Sequence, residues 1–60
     1  MAEPKFEIFE DGNGEFRFRL KAGNGEVIAI GEGYSSRSAC ENGVESVQRN
    51  APIARIVYLE

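Results

Sequence analysis

The sequence has no histidine and no tryptophan, and Cys40 is its only cysteine among 60 residues. A single cysteine excludes an internal disulfide, and one thiol with scattered carboxylates does not make a zinc-type ligand set. A chain of this size buries only about 60 % of its unfolded surface, so small domains usually depend on disulfides, a metal or oligomerisation. Oligomerisation is therefore the expected route to stability, and we expect no metal and no cofactor.

Long apolar runs and an excess of positive charge are also lacking. Seven Lys and Arg residues stand against ten Asp and Glu residues, which gives a net charge of −3 and argues against a nucleic-acid partner. No run is long enough to span a membrane, and residues 1–4 lack the basic and apolar regions of an export signal. We expect one domain, residues 1–60, in the cytoplasm, where a lone thiol stays reduced.

The clearest pattern that is present is the alternation of apolar and basic residues from position 16 to position 21, which predicts a half-buried strand. A shift of register by one residue would exchange the two faces of the sheet. A three-residue loop, with Gly14 in the left-handed conformation, keeps the apolar residues of the preceding strand on the aromatic face. This register pairs Ile8 with Phe18 and Glu7 with Arg19.

The next turn has two alternatives. The Asn-Gly dipeptide at positions 24 and 25 favours a two-residue type I′ turn, which is the stronger local signal. That turn places Val27 and Ala29 on the aromatic face of the sheet. Ile28 and Ile30 then lie on the basic face, where a second subunit could cover them. A three-residue turn at positions 23–25 reverses this arrangement and buries the isoleucines.

A helix and a last strand complete the predicted order, β-β-β-α-β. The helix can be capped by Ser35, Ser36 or Ser38, and Ser38 with Glu41 fits a capping box. Pro52 prevents the helix from continuing. The segment that follows is apolar on both faces, which is typical of an interior strand. Its apolar residues are Ile53, Ile56, Val57, Tyr58 and Leu59.

Several segments together resemble the YegP-like family of small bacterial and archaeal proteins, and the resemblance extends from Lys5 to about Leu59. They are Phe6–Ile8, Phe16–Ala22, Asn24–Ile28, Gly33–Arg37, Cys40–Val47 and Asn50–Ala51. The resemblance implies an α+β unit with an antiparallel meander and one helix. It also implies that units occur as tandem repeats or as two subunits, which form a joined sheet and exchange their C-terminal strands. One repeat is present here, which implies a homodimer. The family provides no catalytic residues to transfer.

Two groups of polar residues are candidate binding sites. Arg17, Arg19 and Lys21 line one strand face, and a basic face of this kind can bind single-stranded nucleic acid. A solvated sheet face paired with nearby glutamates explains the same residues. Tyr34, Ser35, Ser36 and Arg37 surround the start of the helix, where free amides can hold an anion. Ordinary helix capping explains the serines equally well.

Cys40 is a candidate redox thiol because it falls in the first turn of the helix, where the helix dipole lowers a thiol pKa. Its position on the apolar stripe of the helix favours a buried side chain with a packing role. No acid–base pair can be assigned, so we expect no enzyme. The sequence favours a non-catalytic binding or structural module whose partner is a second copy of itself. Nucleic-acid binding through the basic strand face is the alternative, and an enzyme is the third.

Overall fold

Three antiparallel strands and one helix form the fold, in a computed structural model that describes residues 3–60. Met1 and Ala2, on which the expected absence of an export signal partly rests, lie outside the described residues. The strands lie side by side in the order β1-β2-β3. The expected α+β class is confirmed. The elements are β1 at Lys5–Glu10, β2 at Phe16–Lys21, β3 at Val27–Ile30, α1 at Arg37–Asn50 and a 3-10 helix at Ala51–Ile53.

The hairpin of β1 and β2 has the predicted register. Ile8 is opposite Phe18 and Glu7 is opposite Arg19. The amide of Asp11 donates to the carbonyl of Glu15 at 2.8 Å, which closes a loop of three residues, 12–14. Gly14 has a φ of +79°, the left-handed conformation that this loop requires.

The turn between β2 and β3 differs from the two-residue type I′ turn that the sequence favours. The amide of Ala22 donates to the carbonyl of Glu26 at 2.8 Å, so the loop again contains three residues, 23–25. A type I′ turn needs a positive φ at both central residues. Gly25 has a φ of +90°, but Asn24 does not have a positive φ. The prediction is wrong because the loop places only its last residue in the left-handed region.

The pairing of β2 with β3 has a register shift between Leu20 and Lys21, so some of the predicted placements in β3 are correct and one is wrong. Before the shift, Val27 is opposite Lys21 and lies on the basic face, so its predicted place on the aromatic face is wrong. Beyond the shift, Ala29 is opposite Leu20 and Ile30 is opposite Arg19, as predicted. A bulge inserts one extra residue and exchanges the faces of the residues that follow it.

Helix α1 begins one residue after its cap, Ser36. The side-chain oxygen of Ser36 accepts a hydrogen bond from the amide of Ala39 at 3.1 Å. Ser36 was one of the three predicted caps, whereas the Ser38–Glu41 capping box is wrong because Ser38 already lies inside the helix. After Asn50 the chain tightens into the 3-10 helix that contains Pro52.

The core is small and lies between α1 and the hairpin of β1 and β2. Its buried residues are Phe18, Cys40 and Val44. Phe6 packs edge-on against Phe18, and their ring centroids are 5.9 Å apart. Helix α1 packs on β1 and β2, whereas all four residues of β3 are exposed. The sheet is therefore covered on one side over only part of its width.

Residues 54–60 form neither a helix nor a strand. Their large apolar side chains are largely exposed, from 65 % for Val57 to 93 % for Leu59. The predicted interior strand is therefore not formed within one chain. A strand needs hydrogen-bonded neighbours, and within the described residues this segment lies against none. Its pairing with a second copy stays a prediction.

Candidate functional site

The basic strand face is closely paired with carboxylates. Nε of Arg17 lies 2.7 Å from Oδ2 of Asp11, and its Nη1 donates to the carbonyl of Gly31 at 3.3 Å. The hydrogen bond from Arg17 holds the pKa of Asp11 below its ordinary value, and the same bond raises the pKa of Arg17. A carboxyl oxygen of Glu15 lies 4.0 Å from Arg17. Arg17 is therefore neutralised by two acidic neighbours.

Glu7 is the centre of a second group on this face. Its carboxylate accepts from Nε of Arg19 at 2.6 Å, and it lies 3.4 Å from Nζ of Lys5 and 3.8 Å from Nζ of Lys21. The hydrogen bond from Arg19 is the main cause that lowers the pKa of Glu7. The structure therefore brings Arg19 and Lys21 together through Glu7, and separates them from Arg17, which pairs with other acids.

Sequence reasoning missed Lys5 as a member of this group. The signal was available, because the correctly predicted register of the hairpin also places Lys5 directly opposite Lys21. Phe9 lies on the same face, and the guanidinium of Arg19 lies over its ring at 4.8 Å from the centroid. One face of the Phe9 ring is thus covered by Arg19.

The residues at the start of α1 have structural partners. Tyr34 exchanges two backbone hydrogen bonds of 2.8 Å with Phe16, and its ring stacks on Phe18 with centroids 6.5 Å apart. The hydroxyl of Ser36 caps the helix, and the guanidinium of Arg37 lies 5.7 Å from the centroid of the Phe16 ring. Ser35 is exposed. These contacts favour the capping interpretation of the candidate anion site.

Cys40 is fully buried, with an exposure of 0 %. Burial is the main cause that raises the pKa of its thiol, and the neighbouring Glu41 raises it further. A thiol is reactive as a thiolate, so both effects reduce the reactivity of Cys40. The arrangement supports the packing role and not the redox role.

The predicted dimer strand holds five of the eight large apolar side chains that are exposed in the described chain. Its five apolar residues are exposed by between 65 % and 93 %, and the residues are Ile53, Ile56, Val57, Tyr58 and Leu59. Edge strand β3 adds Val27, Ile28 and Ile30, which are also exposed. Exposed apolar side chains in such number are typical of interaction surfaces.

Residues 3–60 contain no cluster of three or more potential metal ligands and enclose no pocket. In the same part of the chain, no helix is both long enough and apolar enough to cross a membrane. The protein is thus defined by a small β-meander with one helix, a paired charged face and an apolar C-terminal segment.

Comparison with known proteins identifies the family of this α+β unit. The sequence profile described as "Domain of unknown function (DUF1508)" matches residues 11–57, and the chain belongs to this family. A UPF0339 protein of Treponema denticola is 62 % identical over 53 residues, which cover 88 % of this chain and 91 % of that protein. A UPF0339 protein of Methanosarcina acetivorans is 52 % identical over 56 residues, which cover 93 % and 97 %.

The predicted resemblance to YegP-like proteins is confirmed. The UPF0339 protein YegP of Yersinia pestis is 48 % identical over 52 residues, which cover 87 % of this chain but only 46 % of that relative. The NMR solution structure of a protein from Haloferax volcanii matches the fold with a TM-score of 0.87 at 42 % identity, and it covers 98 % of this chain and 100 % of that one. The names of these relatives state no activity.

Proposed function

We propose that this chain is a non-catalytic binding or structural module that acts as a homodimer. Residues 53–59 of each copy join the sheet of the other copy in this proposal. The observation that carries it is the exposure of five large apolar side chains in that segment. Burial of one such side chain stabilises a fold by roughly 1.5–3 kcal/mol. This added stability matters here because the core contains only three buried residues among those described.

Edge strand β3 is the proposed acceptor of the partner's segment. It has β2 on one side only, and α1 leaves both of its faces exposed. The unpaired edge of a strand presents free amides and carbonyls to any segment that can add to it. Residues 53–59 carry one charge, on Arg55, so an apolar partner suits them better than water.

The non-catalytic role is supported by what the polar residues already do. Cys40 is buried with a raised thiol pKa, and Ser36 caps the helix. Arg17 and Arg19 are held by carboxylates. Relatives of two lengths also suit the proposal, because the chain spans 91 % of one relative and only 46 % of another, which has room for two units. A buried free thiol fits the cytoplasm, where we propose the dimer works.

Replacing Val57 by proline tests this proposal. Proline has no amide hydrogen and a fixed φ, so at position 57 it opposes the strand pairing that the proposal gives this segment. We expect sedimentation at micromolar concentration to give twice the chain mass for the unmodified protein and for the matched control Val57→Ala. The Val57→Pro variant should lose the dimer. A well-folded, monomeric unmodified protein would refute the proposal.

A further inference from the structure

A like-charge pair interrupts the otherwise complementary hairpin. Lys5 and Lys21 are directly opposite each other across β1 and β2, an arrangement that destabilises a sheet. Both ammonium groups and the guanidinium of Arg19 converge on the carboxylate of Glu7. Three positive charges therefore share one negative charge, and a surplus of two positive charges remains.

This surplus stands apart from the charge of the rest of the molecule. The chain carries a net charge of −3, and Arg17, the other cation of the same strand face, has two acidic neighbours. Proteins violate local pairing rules mainly at functional sites. The unpaired positive charge around Glu7 therefore favours binding of an anionic partner.

Apolar side chains lie directly beside the cations. Val27 is opposite Lys21 and Ile30 is opposite Arg19 on the neighbouring strand. Val27 is 45 % exposed and Ile30 is 65 % exposed. Lys5, Arg19, Lys21, Val27 and Ile30 together form the basic–apolar patch. It crosses three strands, a width of about 10 Å.

We propose that the basic–apolar patch docks an acidic protein segment, with carboxylates on the cations and apolar side chains on Val27 and Ile30. The positive surplus sets the charge of the partner, and the exposed aliphatic side chains require apolar groups on the same partner. The patch is on the sheet face opposite α1, whereas the proposed dimer uses the edge of β3. This inference rests on the proposed binding role, but it does not require the dimer.

A protein segment suits the patch better than nucleic acid does. Nucleic-acid sites on sheets use open aromatic rings for base stacking. Arg19 covers one face of the Phe9 ring, and the exposed residues next to the cations are aliphatic. An aliphatic side chain buries more apolar surface against a leucine or valine of a partner than against a phosphate backbone.

Fluorescence anisotropy with labelled probes tests this inference on the intact chain. The probe is a short peptide of alternating glutamate and leucine, and the comparison probes are the lysine–leucine peptide and a single-stranded DNA oligomer. We expect the acidic peptide to bind best, and its affinity to fall as salt increases. Either Lys21→Glu or Ile30→Ser should weaken binding about tenfold or more, because each removes one half of the recognition.

Arg49→Glu is the matched control, because it makes the same charge change on the exposed surface of α1. It should leave the affinity for the acidic peptide unchanged. Lys5→Glu gives a second charge reversal if Lys21→Glu fails to fold. Equal affinity for the acidic and basic peptides, or binding unaffected by the patch variants, would overturn the inference. Tighter binding of the DNA oligomer, lost in the same variants, would also overturn it. Solution mass, measured on each variant, tests the dimer separately.

Discussion

At the scale of single residues, close contacts explain positions that the sequence makes unusual. Gly43 lies inside α1, where glycine costs up to about 1 kcal/mol relative to alanine. A Cβ atom at this position would collide with the hydroxyl of Tyr34. The glycine therefore lets the helix approach the tyrosine that stacks on Phe18. The sequence alone does not identify Tyr34 as the neighbour of this glycine.

Gly43→Ala should lower the free energy of unfolding by about 1 kcal/mol, because an overpacking cost of about 1–3 kcal/mol is only partly offset by a helix-propensity gain of up to about 1 kcal/mol. Chemical denaturation at fixed protein concentration measures the change. Asn42→Ala, on the exposed side of the same helix, should be neutral or slightly stabilising. Tyr34→Phe removes the nearest atom, so the double variant should recover part of the loss. A stabilised Gly43→Ala variant would contradict the contact.

Cys40 should not react with an aromatic disulfide reagent while the protein is folded. Its side chain is fully buried, and burial raises its thiol pKa. The reaction should proceed at the rate of a free thiol after denaturant is added. Rapid reaction of the native protein would show that the thiol is accessible and would restore the redox hypothesis.

At the scale of elements, the hairpin of β1 and β2 was predictable and the turn after it was not. The alternation of Phe16, Phe18 and Leu20 with basic residues allows one register, because any shift by one residue would expose the aromatic face. The second turn has no such constraint, because β3 is exposed on both faces. The Asn-Gly preference was therefore overruled by a three-residue loop and a bulge. The sequence also could not decide which of three serines near the start of the helix is its N-cap.

Paired carboxylates on the hairpin predict loss of stability in acid. The pKa of Glu7 is lowered from 4.5 and that of Asp11 from 3.8, in both cases chiefly by a hydrogen bond from an arginine. A lowered pKa stabilises the fold fully above the unfolded value, and this stabilisation is lost as the pH falls through the folded value. Stability should therefore decline from about pH 4.5 downwards.

Thermal unfolding as a function of pH measures this decline. The variants Glu7→Gln and Asp11→Asn should each have a flatter acid dependence than the unmodified protein. Glu41→Gln, an exposed position on α1, is the matched control and should leave the dependence unchanged. An acid dependence that is equally steep in all four proteins would show that these pairs do not contribute.

At the scale of the whole molecule, the described chain combines a core of three buried residues with a largely exposed apolar C-terminal segment. Chain length predicted this shortage of core, because 60 residues bury only about 60 % of their unfolded surface, and a single cysteine offers no internal disulfide to compensate. The apolar character of residues 53–59 also predicted that they need neighbours. The sequence could not indicate that β3 is exposed on both faces, because this exposure depends on where α1 packs. The exposure supports the edge of β3 as the proposed acceptor of the partner's segment.

Isotope-filtered NMR of a mixture of labelled and unlabelled copies tests the central claim most directly. If residues 53–59 pair with the sheet of a second copy, the spectra should contain intermolecular NOEs between that segment and Val27–Ile30. The same contacts should be absent from a sample that is kept below the dissociation concentration. Contacts from residues 53–59 only to the sheet of the same chain, or a segment that stays solvated at millimolar concentration, would contradict the claim.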